Sequence, residues 1–265
     1  MTGAEKAGLL KRLTDMDERM AFSKALDSAI RCHKQRVQAF SGFLDPFKVR
    51  KFVPMLVQNL HIQCMAFGGY DGCERQMIGM SPKGIPIAPA DFPVAVVNVS
   101  YHGKFSRTLT HRDFLGAALG LGIERHCIGD IVLSDAFALI VVHIQMADYV
   151  CANLVSVGRT AVKASAQSWE AAAFPIPERE TKRITVASLR LDSMVGAAFR
   201  LSRSSAAALV DKEKVFVNWS VCAAASKTLA PADMVTVRGH GRFEVGDIVG
   251  QTKKGRTMVE IQIST

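Results

Sequence analysis

Apolar residues recur at helical intervals early in the chain. Met20, Phe22, Leu26 and Ile30, with Lys and Arg between them, place a helix over Asp17 to about Phe40. Leu44-Asp45-Pro46 has the chemistry of a second helix start, a capping side chain followed by Pro in the first turn. That helix is expected through Leu56, with Pro54 kinking it or ending it early. The period then shortens. Ile62 to Phe67 and Gln76 to Met80 read as short strands around the turn Gly68-Gly69-Tyr70-Asp71-Gly72. Pro82, Pro86, Pro89 and Pro93 mark a boundary.

Beyond that boundary Val94 to Val99 is a β-branched strand and Thr110 to Leu119 a helix capped by Thr110. Asp130 to Leu133 and Phe137 to Val142 read as strands joined by Ser134-Asp135-Ala136. Gln145 to Leu154 is a helix, and Ala161 to Ala164 a closing strand. The order β-α-β-β-α-β is that of a split ferredoxin-like domain, the pattern shared by RNA-recognition-motif domains. No strand carries the Lys/Arg-Gly-Phe-x-Phe aromatics that stack bases in those domains, so conventional base stacking is not expected. Residues 167–182, with Pro175, Pro177 and Glu178-Arg179-Glu180-Thr181-Lys182, read as an extended, exposed linker.

In the last third, Leu191, Met194, Val195, Ala198 and Phe199 form one apolar helix face. Ser202 caps a second helix that turns Ala206, Leu209 and Val210 inward. A strand, Val215-Phe216-Val217, and a turn at Asn218 follow. The whole is an α+β, multidomain chain: an α/β N-terminal segment (1–88), a ferredoxin-like (RRM-like) middle domain (89–166), the linker, and a C-terminal module (183–265).

Charge changes this picture. The chain of 265 residues has 33 Lys and Arg against 24 Asp and Glu. Residues 183–265 hold 12 basic and 7 acidic side chains and residues 1–89 hold 13 and 8, whereas residues 90–170 hold 6 and 7. Two basic ends around a near-neutral middle suggest two contact surfaces on a polyanion. No apolar run approaches a membrane span and no signal core precedes Leu13, so a cytoplasmic protein with no membrane partner is expected. The dispersed cysteines form no Cys-x-x-Cys pair, which fits reduced thiols, and neither a metal nor any other cofactor is expected.

The basic residues of the last third gather at its joints. Arg190, Arg200, Arg203, Lys212, Lys214, Asn218, Arg238 and Arg242 are the candidate RNA-binding residues, with Asn218 as a turn or hydrogen-bonding residue. Asp192 is expected to order the arginines, and Trp219 to be partly buried. Catalysis is not expected. His111-Arg112-Asp113 has the look of a kinase loop, but Ala118 stands where magnesium-binding Asn is required. His111 is read instead as a surface or capping side chain. Arg190-Leu191-Asp192 invites comparison with pseudouridine synthases, yet their Thr-Ser-Gly continuation is missing. Glycine-rich cofactor turns and His-x-Gly-His nucleotide sites are absent as well.

Residues 183–265 resemble the S4 RNA-binding domain. The Arg190-Leu191-Asp192 start, Ser202-Arg203, Val215-x-Val217-Asn218 and Ala232-Asp233-Met234-Val235-Thr236-Val237 fall in that module's order. Glu213 and Ala232 stand where Gly is usual, so those turns are expected to be strained or rearranged. The chain as a whole resembles the YlmH-type S4 proteins. Gly68-Gly69-Tyr70 with Glu74-Arg75, His111 to Gly116, Leu119 to Ile123, Ile128-Gly129-Asp130-Ile131 and Gly158-Arg159-Thr160 carry the likeness, with Arg238-Gly239, Gly241-Arg242-Phe243 and Thr252 to Arg256 in the tail. That resemblance implies a non-catalytic protein bound to the large ribosomal subunit obstructed by peptidyl-tRNA. It would contact rRNA and tRNA together and support alanine tailing beside a quality-control elongation factor. An rRNA-modifying enzyme of pseudouridine synthase type and a ribosome assembly factor remain as alternatives.

Overall fold

In the computed structural model, which describes residues 3–101, 109–134, 137–175, 180–253 and 255–264, the chain forms two compact units that divide after Pro175. The first begins with α1 (Gly3–Lys11), α2 (Met16–Gln35), β1 (Ala39–Phe40), α3 (Pro46–Leu60), β2 (Ile62–Phe67) and β3 (Met77–Pro82). Asp15 caps α2 by accepting from Glu18 N–H at 2.8 Å, and Asp45 caps α3 by accepting from Lys48 N–H at 2.9 Å. The strands pair antiparallel in the order β1-β3-β2. One face of this sheet packs on Phe22, Leu26, Phe52 and Leu56 of the helices.

Two expectations for this region change. The first long helix stops at Gln35, where Arg36 takes a left-handed conformation (φ 57°), and Ala39–Phe40 is a strand. No glycine marks that stop. The second helix does not end near Pro54 but continues to Leu60. Pro54 lies on the exposed side, while Phe52, Leu56 and Leu60 are buried, so packing on the core side sustains the helix past the missing hydrogen bond.

The unit continues with β4 (Val94–Ser100), α4 (His111–Gly120), β5 (Ile128–Leu133), β6 (Phe137–His143), α5 (Ile144–Asn153), the short pair β7 (Ser156–Val157) and β8 (Thr160–Ala161), and β9 (Lys163–Gln167). The four longer strands pair antiparallel in the order β5-β6-β4-β9, with Val97 opposite Ile140 and Ala166. Ala95, Val97, Val99, Ile140 and Val142 turn one face toward Phe114 of α4 and Val150 of α5. The closing strand lies at Lys163–Gln167 rather than 161–164, because Ala161 pairs back on Ser156. Residues 135 and 136 of the expected turn lie outside the described residues.

The other face of this sheet is covered by the N-terminal sheet. Val94 and Val141 pack with Phe43, Phe67, Met77 and Phe92, and Phe40, Tyr70, Trp169 and Phe174 close the edges. Phe67 meets Phe92 and Trp169 edge-on at 5.4 and 4.9 Å, and Tyr70 stacks on Phe174 at 4.1 Å. Glycines let the layers approach: a Cβ on Gly129 would lie 2.8 Å from the Phe43 ring. The result is helices, sheet, sheet, helices. It also corrects the reading of 167–182 as an exposed linker. Gln167 ends β9, Trp169 and Phe174 pack as above, and 180–182 begin a strand; residues 176–179 lie outside the described residues.

One carboxylate joins the two sheets. Asp130 Oδ2 accepts from Tyr70 Oη–H (2.9 Å) and Glu74 N–H (2.7 Å), and Oδ1 accepts from Arg75 N–H (2.9 Å). Burial raises the carboxyl above its ordinary value, against these donors and the nearby arginines.

The second unit comprises β10 (Glu180–Val186), α6 (Leu191–Phe199), α7 (Arg203–Asp211), β11 (Val215–Val217), β12 (Ser220–Val221), β13 (Met234–Val237), β14 (Gly241–Gln251) and β15 (Thr257–Ser264). Its strands form one antiparallel sheet in the order β10-β15-β14-β13-β11-β12. Val215, Val235, Phe243, Val259 and Ile261 turn inward to Leu191, Met194 and Val195 of α6 and to Ala206 and Val210 of α7. Lys254, in the loop before β15, is outside the described residues.

Asp130→Ala leaves two backbone N–H groups and a phenol without their acceptor, at a cost of about 3 kcal/mol. Urea denaturation should show a lower midpoint for the first unit, and an unchanged midpoint would show that the carboxylate does not hold the sheets together.

Candidate nucleic-acid interface

The α6–α7 corner carries the most ordered basic group of the second unit. Arg190 is the residue before α6, and Arg203 is the first residue of α7. Asp192 stands between them. Its carboxylate, 6% exposed, accepts from Arg190 Nε (3.2 Å) and Nη2 (3.0 Å) and from Arg203 Nε (3.0 Å). Gly196 makes the tight corner possible, since a Cβ there would meet Leu201 O at 3.1 Å. Ser202 closes it, its hydroxyl accepting from Ser205 N–H at 3.0 Å. Asp192 orders the two arginines, as the sequence suggested.

Electrostatics follow from this geometry. Burial alone would raise the Asp192 carboxyl, but the hydrogen bonds from Arg190 and Arg203 outweigh it and hold the group below its ordinary value. Two guanidiniums against one carboxylate leave one net positive charge. Arg203 remains exposed, so unused N–H donors face solvent in a fixed orientation.

The remaining basic candidates are positioned by other elements. Lys212 is the C-cap of α7, and exposed Lys214 accepts from Arg238 N–H through its carbonyl at 2.9 Å. The Arg238 guanidinium lies over the Phe216 ring, 4.7 Å from its centroid. Arg200 occupies the left-handed C-cap of α6 (φ 56°), next to Phe199, whose ring is 5.9 Å from His240 in the turn after β13. Lys214 and Arg238 therefore meet beside β11, while Arg200 stands in the connection between α6 and α7. Arg242 pairs with Thr236 in the ladder, alternating with buried Phe243, so it lies on the sheet face away from the helices.

Asn218 is a turn and hydrogen-bonding residue, as the sequence suggested. Its Nδ2 donates to Asp233 at 2.7 Å and its Oδ1 accepts from Met234 N–H at 3.0 Å, which uses both ends of the amide. Trp219 is half-buried, as expected. Glu213 (φ 54°) and Ala232 (φ 67°) are both left-handed, so the turns survive without Gly, at about 1 kcal/mol of strain each. Sequence reasoning missed Lys227. Its carbonyl accepts from Leu191 N–H at 2.8 Å, which brings an exposed lysine beside the Arg190 corner. Only loop docking reveals this, since Lys227 has no periodic or motif signal.

In the first unit, the sheet face that reads bases in RNA-recognition-motif domains is closed by the aromatic layer described above. His111 is exposed in the first turn of α4 but does not cap it; Asp113 Oδ2 accepts from Thr110 N–H at 2.8 Å and Thr110 Oγ1–H at 2.6 Å. Among the described residues, no cluster of three or more His, Cys, Asp or Glu is placed to hold a metal ion, and no helix is long and apolar enough to cross a membrane.

These features define an α+β protein with an RNA-binding domain, since residues 88–171 match the family described as "Putative RNA-binding domain in YlmH". The chain is 32% identical over 246 residues to ribosome-associated protein quality control protein P2 of Bacillus subtilis (strain 168), covering 93% of this chain and 95% of that one. It belongs to the YlmH family of ribosome-associated quality control proteins. A solved structure, the cell division protein ylmH from Streptococcus pneumoniae, is similar at 19% identity with a TM-score of 0.49, over 60% of this chain and 95% of that one.

Asp192 has a lowered carboxyl in the fold, so its stabilisation is complete above the unfolded value and vanishes as pH falls through the folded one. Asp192→Asn should melt lower than wild type at neutral pH, and the gap should close below about pH 4. Thermal melts of both proteins across that range check it; a gap independent of pH would mean the carboxylate charge is not what orders the corner.

Proposed function

We propose that this chain is a non-catalytic RNA-binding factor of ribosome-associated quality control, working in the cytoplasm. In this reading the second unit is an S4 domain that grips rRNA of the large ribosomal subunit together with peptidyl-tRNA. The first unit pairs a ferredoxin-like domain with an N-terminal domain that covers its sheet. Positioning the tRNA beside a quality-control elongation factor is the contribution to alanine tailing, and no group in the corner is asked to do chemistry.

One observation carries the reading. Asp192 holds Arg190 and Arg203 at fixed distances across a helix–helix corner, leaving guanidinium donors turned to solvent. A pre-oriented pair of this kind suits phosphate oxygens on structured RNA, because little side-chain entropy is lost on contact. Lys227 at the same corner, and Lys212, Lys214 and Arg238 further along the unit, would add phosphate contacts whose strength falls steeply with salt. The B. subtilis relative's name supports the ribosomal setting.

Arg190→Ala combined with Arg203→Ala should reduce co-sedimentation with large subunits at physiological salt by about ten-fold or more and flatten the salt dependence by about 0.9 log–log units per lost phosphate contact, on the B-DNA scale. Unchanged sedimentation would remove these residues from the interface.

A further inference from the structure

A cleft of about 320 Å³ opens in the first unit between α2 and the segments 42–45 and 124–126. Met20 and Phe43 contribute apolar walls, and Arg75 and Arg125 line the same space. Met20 is 55% exposed, and Met16, one helical turn before it on α2, is 66% exposed. The two segments are held together by close contact: Phe43 N–H donates to His126 O at 2.7 Å, and a Cβ on Gly42 would lie 2.7 Å from the His126 ring.

The charges in this cleft are unevenly compensated. Its carboxylates have cations: Asp45 pairs with Lys48 at 3.1 Å, and Glu124 with Lys24 at 3.5 Å and His126 at 3.0 Å. Among the described residues neither arginine is in a close ion pair with a carboxylate, although Asp45 and Asp130 act on Arg75, and Asp130 on Arg125, from a greater distance. Arg75 donates to the carbonyls of Ile128 (3.0 Å), Phe43 (2.8 Å) and Arg125 (3.3 Å), and Arg125 to those of Ile128 (2.6 Å) and Gly129 (3.4 Å). Both guanidiniums thus reach the same Ile128 oxygen, bringing two like charges together. Both acids are already engaged, Asp130 by Tyr70, Glu74 N–H and Arg75 N–H and Asp45 by Lys48. Burial, and then the neighbouring Arg75, pull the Arg125 guanidinium down to about 10 against the opposing influence of Asp130.

We propose that this cleft docks a segment of a partner protein that presents a carboxylate beside a large apolar side chain, the carboxylate meeting Arg75 and Arg125 and the apolar group packing on Met20. A flexible thioether wall adapts to such a side chain, and guanidinium–carboxylate pairing away from bulk water supplies the specificity. RNA fits less well. The lining offers a base no exposed aromatic face, since Phe43, its aromatic residue, is buried. This docking is independent of the RNA-binding corner in the second unit.

The test is an NMR titration of the isotope-labelled full chain with an acetylated, amidated Ala-Leu-Glu-Leu-Ala peptide. The Met16 and Met20 methyls and the Arg125 Nε–H should shift together and saturate. The analogue with Gln in place of Glu should bind about ten-fold more weakly, as expected for loss of one charge-assisted pair. Met20→Glu, a change at an exposed position, should also weaken binding about ten-fold while leaving shifts outside the cleft in place. The proposal is overturned if the peptide causes no shift, if the Gln analogue binds equally well, or if inorganic phosphate or a short oligouridylate displaces the peptide more tightly than it binds.

Discussion

The carboxylate of Asp130 ties together the two sheets of the first unit, accepting from Tyr70, Glu74 and Arg75 in the segment that follows β2. Burying a carboxylate is costly unless donors surround it, and here backbone N–H groups supply most of the compensation. Their positions are set by the turn after Phe67, so satisfying Asp130 also sets the register of the N-terminal sheet on the middle one. The aromatic layer then closes, with Phe67, Phe92 and Trp169 interlocked and Tyr70 stacked on Phe174. Arg75 leaves the same turn to bind three carbonyls on the far side, which creates the arginine-lined cleft.

A second carboxylate plays the corresponding part in the other unit. Asp192 is buried at the α6–α7 corner and satisfied mainly by side-chain guanidiniums, with one backbone donor, Ser193 N–H, at 2.8 Å. The difference has a functional consequence. At Asp130 the donors are consumed inside the protein, whereas at Asp192 the arginines keep further N–H groups directed outward. The net charge of the corner is small, so on the proposed reading geometry is its contribution, with the exposed Lys227 beside it adding charge.

Periodicity was a good guide where one face of an element decides its form. The β-branched run beginning at Val94, the two strands after Ile128 and the helix at Ile144 stand within a few residues of their expected places, because each buries alternate or every third and fourth side chains in a local core. It failed where a competing contact decided. Arg36 ends α2 in a left-handed turn with no glycine to announce it, and packing of Leu56 and Leu60 carries α3 past Pro54. Trp169 and Phe174 lie beside prolines and charges that read as a linker, yet their partners, Phe67 and Tyr70, are about a hundred residues away in the chain. In the candidate interface, residue type pointed to Arg190 and Arg203 and set Asn218 apart as a turn residue, but it could not find Lys227.

By itself, the sequence determined the order of helices and strands, the basic character of the second unit and the pairing of Asp192 with its arginines. These follow from side-chain period and from opposite charges a few residues or one helical corner apart. Only the tertiary structure decided that the middle sheet is covered, that Lys214 and Arg238 meet beside Phe216, and that Arg75 and Arg125 share one carbonyl. Each of those depends on groups brought together from distant parts of the chain, where burial and hydrogen-bond satisfaction rule and local pattern carries no information.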